Sequence, residues 1–127
     1  MNLLSIDYGT RKCGIATATL GFVFAWWTVW TEAIIPTIEK IIAEKKMEKV
    51  ILGMPYNIDG SMSEHGRRVQ EFWKKLIWKI GIPIEYMDER LTTAEAIMEF
   101  SDDTLEGGDV DAASARLILE RYIRREE

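Results

Sequence analysis

Apolar residues recur first at the period of a strand and later at the period of a helix. Leu3–Asp7 (LLSID) is mostly apolar until it ends on an acid, 13–19 (CGIATAT) alternates, and Phe22–Trp30 (FVFAWWTVW) is aromatic and β-branched. With Leu20 and Gly21 as a tight connection, the three runs predict an antiparallel meander. Along the third run Phe22, Phe24, Trp26, Thr28 and Trp30 fall on one face and Val23, Ala25, Trp27 and Val29 on the other. Both sets are apolar, which predicts a strand packed on both sides. The competing reading leaves some of Trp26, Trp27 and Trp30 exposed, to stack on bases or to form a subunit contact.

The period then changes. Pro36 suits the first position of a helix, and Ile38, Ile41 and Ile42 give that helix a stripe opposite the charged set Glu39, Lys40, Glu44 and Lys45. Lys49–Met54 (KVILGM) is a continuous apolar run closed by Pro55, the pattern of an interior parallel strand. Asn57, Asp59 and Gly60 mark a loop, and Ser61 with Glu64 three places on predicts a capping box. Val69, Phe72, Trp73, Leu76, Ile77 and Ile80 recur at helical spacing until Gly81. A short strand over 82–87 runs into Asp88, Glu89 and Arg90. Thr92 and Glu95 repeat the capping pattern and predict a helix over 93–100, followed by a polar loop over 101–108. A last helix, from near Asp109 or Val110, carries Ala115, Ile118, Leu119 and Tyr122 on one stripe, which extends backwards by one turn to Asp111.

This order predicts an α/β class: a mixed five-stranded sheet, three antiparallel strands then two parallel ones, flanked by helices, in one domain over 1–127. Sites in such sheets lie beyond the carboxyl ends of the strands. Asp7, Met54 with Pro55, and Asp88 with Glu89 all fall at such ends.

Composition narrows the setting. The longest apolar run, 20–30, is well short of the roughly 20 residues of a membrane helix, so a soluble protein with no membrane partner is expected. The one cysteine, Cys13, has no partner for an internal disulfide, and the chain opens without a charged-then-apolar leader; both point to a reducing cytoplasm. Sixteen basic against 21 acidic residues give a net charge of −5, which argues mildly against nucleic acid as a partner.

Four ordered blocks change that balance. MNLLSIDYGTRKCGIA, ILGMPYNIDGSMSEHGRRVQEF, IPIEYMDERLTTAEA and VDAASARLILERYI resemble, in order and spacing, the signatures of the YqgF/RuvX family of Holliday junction resolvases, also described as pre-16S rRNA nucleases. The resemblance implies a ribonuclease H-like fold and a nuclease acting on structured RNA or branched DNA. IDYGT by itself would also suit an actin-like, nucleotide-binding half-domain, and a catalytically silent nucleic-acid or protein-binding module remains a third reading.

Phosphodiester cleavage needs an activated water and an offset for charge on the leaving oxygen, which two divalent ions can supply. Mg²⁺ and Mn²⁺ take oxygen ligands, so acids converging from separate elements are the requirement. Asp7, Asp88 or Glu89, and Asp111 provide that set. Strand alternation sends only one of Asp88 and Glu89 inward, and the family resemblance favours Glu89, with Asp88 in reserve. Bland alternatives stand beside each: Asp7 could cap the turn at Gly9 and Thr10, and Asp111 could simply favour a helix start.

A phosphate backbone could be gripped by Arg11, Lys12, Arg67, Arg68 and Arg90, whose alternative is solvated surface or local ion pairs. His65, the lone histidine, could carry a proton but could equally be an ordinary residue at a helix start. Gly53 and Pro55 suit shaping of the backbone, and Cys13 suits packing. A monomer could trim an RNA end, whereas symmetric junction resolution needs a homodimer.

Overall fold

This computed structural model describes residues 1–88 and 109–126. The chain forms β1 (Leu3–Asp7), β2 (Lys12–Thr19), β3 (Phe22–Trp30), a 3-10 turn (Thr31–Ala33), α1 (Ile34–Lys45), β4 (Lys49–Met54), α2 (Glu64–Lys79), β5 (Ile84–Asp88) and α3 (Asp109–Glu126). The strands make one sheet in the order β3-β2-β1-β4-β5. β1, β2 and β3 pair antiparallel, while β4 runs parallel to β1 and β5 parallel to β4. This is the predicted α/β arrangement of three antiparallel and two parallel strands.

Alternation along each strand divides the core into two layers. Leu4, Ile6, Ile15, Val50, Leu52 and Met54 point to one face and pack on α1 and α2 through Ile34, Ile38, Ile41, Val69, Phe72 and Leu76. Leu3, Ala16, Ala18 and Ile51 point to the other face, under Ala115, Ile118, Leu119 and Tyr122 of α3. Burying each large aliphatic side chain contributes about 1.5–3 kcal/mol. On the α3 side, β2 presents the small residues Gly14, Ala16 and Ala18 after Lys12 at its start, so α3 can settle close to the sheet.

Several predicted boundaries shift for physical reasons. α1 begins at Ile34, two residues before Pro36, because a 3-10 turn leads into it and Ile34 is itself buried. Pro36 is tolerated there because the first helical N–H groups have no intrahelical acceptor to lose. α2 is capped by Ser63, whose Oγ accepts the Gly66 N–H at 2.9 Å, rather than by Ser61. Ser61 instead closes the preceding loop, donating its N–H to Asp59 at 2.9 Å. Ile77, predicted on the buried stripe of α2, is 45 % exposed, because Leu76 beside it already occupies the core-facing position. β5 begins at Ile84 instead of Ile82. The helix expected over 93–100 and the loop over 101–108 lie outside the described residues.

β3 departs most from expectation. It is an edge strand, and Phe22, Phe24, Trp26 and Trp30 are exposed, so it is not packed on both sides. A register shift opposite Thr17 and Ala18 places Val23 across from Ala18 and Trp26 across from Ala16. Val23 therefore joins the core layer under α3, on the same face as Trp26, and the simple alternation predicted for the strand is broken.

Candidate active site

The site is built from the turn between β1 and β2. Asp7 is the last residue of β1 and pairs with Gly14 of β2. The four-residue connection is tight: a Cβ on Gly9 would lie 2.1 Å from the Lys12 carbonyl oxygen. Thr31, just beyond β3, pins it from the side, donating its hydroxyl to the Gly9 carbonyl at 2.7 Å and its N–H to the Arg11 carbonyl at 2.9 Å. Tyr8 stacks on Phe72 of α2 with ring centroids 4.4 Å apart. Asp7 is thus held on a turn braced by two other elements.

α3 brings the second acid. A Cβ on Gly14 would lie 1.9 Å from the Asp111 carbonyl oxygen and 2.9 Å from the Ala112 nitrogen, so the first turn of α3 sits directly on the β2 backbone. One turn further on, the buried Ser5 hydroxyl donates to the Ala115 carbonyl at 2.6 Å and ties α3 to β1. Asp7 shares the α3-facing side of β1 with Leu3 and Ser5. Asp7 and Asp111 therefore meet the same glycine, one through the strand ladder and one through the helix. Burial pushes the Asp111 carboxyl above its ordinary range, and the positive charges of Lys12 and His65 pull it partly back. Burial likewise raises the Cys13 thiol, with Asp7 and Asp111 both adding to the rise, so Cys13 is a buried packing residue and not a thiolate.

The other predicted residues are placed as follows. Asp88 ends β5 opposite Met54 but shares the face of Ile84 and Tyr86, which pack on the α1 and α2 side, away from the face of Asp7. Glu89, which the family resemblance favours, lies outside the described residues, as does Arg90. Arg11 and Lys12 border the Asp7 turn, and Lys12 acts on the Asp111 carboxyl. Arg67 and Arg68 are exposed in the first turns of α2, where Arg68 pairs with Glu64 at 3.3 Å. His65 places Nε2 2.7 Å from the Tyr8 carbonyl; only a protonated Nε2 can bond there, so the histidine joins α2 to the Asp7 turn.

Among the described residues no three His, Cys, Asp or Glu side chains form a group able to hold a metal ion. Asp7 and Asp111 carry hard oxygen donors on backbones that both reach Gly14, and the desolvated Asp111 carboxyl suits a neighbouring cation. Sequence reasoning passed over Gly14 and Thr31. An isolated glycine within a strand signals close backbone approach, so Gly14 was open to detection; Thr31 had no local signal.

Residues 1–125 match the family described as RuvX, Holliday junction resolvase. The chain belongs to this family. Among its members, a Saccharophagus degradans protein named "Putative pre-16S rRNA nuclease" is 35% identical over 97% of this chain and 93% of its own. The Picosynechococcus protein of the same name is 32% identical over 94% of this chain and 90% of its own. Thermus thermophilus RuvC, solved in complex with a Holliday junction substrate, superposes with a TM-score of 0.64 at 12% identity, over 99% of this chain and 95% of its own. That likeness establishes the ribonuclease H-like fold. Within the family frame the blocks around Asp7 and Asp111 are the two ends of the chain that Gly14 brings together.

Proposed function

We propose that the protein is a Mg²⁺- or Mn²⁺-dependent cytoplasmic nuclease that cleaves phosphodiester bonds in structured nucleic acid, with processing of the 5′ end of pre-16S rRNA as its task. The observation that carries this reading is the meeting of Asp7 and Asp111 at Gly14 in a chain of this family. Asp7, Asp111 and Glu89 are the ligands in this reading, with Asp88 as reserve. Bound divalent ions would supply an activated water and offset charge at the leaving oxygen.

The chain's own residues supply position and field. Gly9, Thr31 and Tyr8 hold the Asp7 turn rigid, which keeps an oxygen ligand within the narrow tolerance such chemistry needs. Burial raises the Asp111 carboxyl, and Lys12 beside it works against that rise. Arg11, Lys12, Arg67 and Arg68, with Arg90, are the phosphate-gripping set, and they position a strand without reading its sequence. The net charge of −5 does not oppose this, since the grip is local and divalent ions would cancel much of it.

The family's description supports a second reading, resolution of four-way DNA junctions, which would require a homodimer with two sites. The deciding experiment sets purified protein against precursor rRNA and a synthetic four-way junction, in Mg²⁺ and in Mn²⁺, beside Asp7→Asn. Metal-dependent cleavage of the RNA alone, abolished in Asp7→Asn, supports rRNA processing. Cleavage of the junction alone moves the assignment to the second reading, and cleavage of neither ends both.

A further inference from the structure

Trp30 closes the edge strand β3 directly across from Lys12, where the turn that begins at Asp7 ends. Trp30 is 51 % exposed. Two cations lie over it: the Arg11 guanidinium at 5.9 Å and the Lys12 ammonium at 5.2 Å from the ring centroid. Thr10, Arg11, Trp30, Thr31 and Glu32 line a cleft of about 490 Å³ at this corner, space enough for a nucleotide. Trp26, on the same face of β3 and 39 % exposed, carries the Arg116 guanidinium 4.6 Å from its ring centroid. Aromatic faces and cations thus alternate along one edge of the sheet, leading to the Asp7 turn.

We propose that Trp30, with Arg11 and Lys12, is a stacking platform that holds an unpaired base of a single-stranded RNA tail beside the catalytic acids. The proposal deepens the nuclease reading above and rests on it. An exposed ring offers a π-face that any base can cover, and flanking cations meet the phosphates on either side of it, which is the composition of a sequence-tolerant single-strand site. Charge selects the occupant: a second copy of this chain would bring the same cations against themselves, whereas a polyanion answers both. Among the described residues Glu32 is the one acid lining the cleft, and it disfavours phosphate on its own side. The strand is therefore expected to leave along Arg11 and Lys12.

The test is equilibrium binding in EDTA, so that affinity is read without cleavage. The probes are a labelled RNA hairpin with a single-stranded 5′ tail, the same hairpin cut blunt, and the tailed hairpin made abasic at successive tail positions. Trp30→Ala and Trp30→Leu should each weaken the tailed RNA about 10-fold and Trp30→Phe by under about 3-fold, with the blunt hairpin unchanged. At one tail position, removing the base should cost as much as removing the ring, and the two losses should not add. The conservative Phe and bulky Leu variants keep the comparison usable should Trp30→Ala not fold. Equal losses on tailed and blunt RNA, additive losses, no loss at all, or a wild-type dimer that Trp30→Leu dissociates would each overturn the platform. Cleavage in Mg²⁺ is scored separately: wild type that binds the tail through Trp30 and never cuts defeats the nuclease reading alone, while cutting by wild type with unchanged binding in Trp30→Leu defeats the platform alone.

Discussion

The Asp111 carbonyl oxygen lies 1.9 Å from the point that a Cβ on Gly14 would occupy. Any side chain at position 14 must push the first turn of α3 off the sheet, and Asp111 with it. Gly14→Ala is expected to cost about 1–3 kcal/mol of stability, the range for overpacking a close contact. It should also lower cleavage on the order of 100-fold, since a ligand displaced by an ångström is enough for that. Chemical denaturation and single-turnover cleavage check the pair of effects; a variant with wild-type activity would separate Asp111 from the site.

Metal binding should be visible as stability. With Mg²⁺ at 100 times its dissociation constant, the wild-type protein is expected to gain about 2.7 kcal/mol of unfolding free energy. Asp7→Asn and Asp111→Asn should lose most of that gain and should cut at background level. Denaturant midpoints with and without Mg²⁺ measure it, and equal gains in all three proteins would remove these acids from the ligand set.

At the opposite end of α3, Glu85 of β5 bridges Arg125, which donates to it, and Lys49 at 3.3 Å; Lys49 also donates to the Tyr122 hydroxyl at 2.8 Å. The Arg125 bond, with Lys49 adding to it, holds the Glu85 carboxyl below its ordinary value of 4.5. A depressed carboxyl stabilises the fold above that value and loses its contribution as pH falls through the lower, folded one. Glu85→Gln should therefore destabilise at pH 7 by about 0.5–1 kcal/mol, a figure kept small because the group is partly exposed and screened. The gap to wild type should close in strong acid, and a pH series of thermal midpoints that shows a constant gap would refute the link.

Ser63 both caps α2 and donates its hydroxyl to the Pro55 carbonyl. Ser63→Ala is expected to cost about 0.5–2 kcal/mol, the usual loss for an N-cap, whereas Ser61→Ala should cost less because its partners lie in an exposed loop. Paired urea titrations decide between them. Because α2 carries His65 to the Tyr8 carbonyl, Ser63→Ala should also reduce cleavage more than Ser61→Ala does.

The chain's local patterns determined the strand and helix order, the mixed sheet and the strand-end position of Asp7, because periods of 2 and 3.6 reflect which side of an element is buried. The stripe from Ala115 to Tyr122, followed back by one turn, also located Asp111 at the head of α3, and family motifs in the four blocks drew both acids into one hypothesis. Tertiary structure alone decided three things. β3 lies at the sheet edge with a shifted register, so residues that read as core are exposed, since which strand has a neighbour depends on the assembled sheet order. Ser63 displaced Ser61 as the cap because capping depends on where the loop delivers the backbone, not on residue spacing alone. The backbones of Asp7 and Asp111, far apart in sequence, meet because one position on β2 lacks a side chain, a relation between distant segments that no local period encodes.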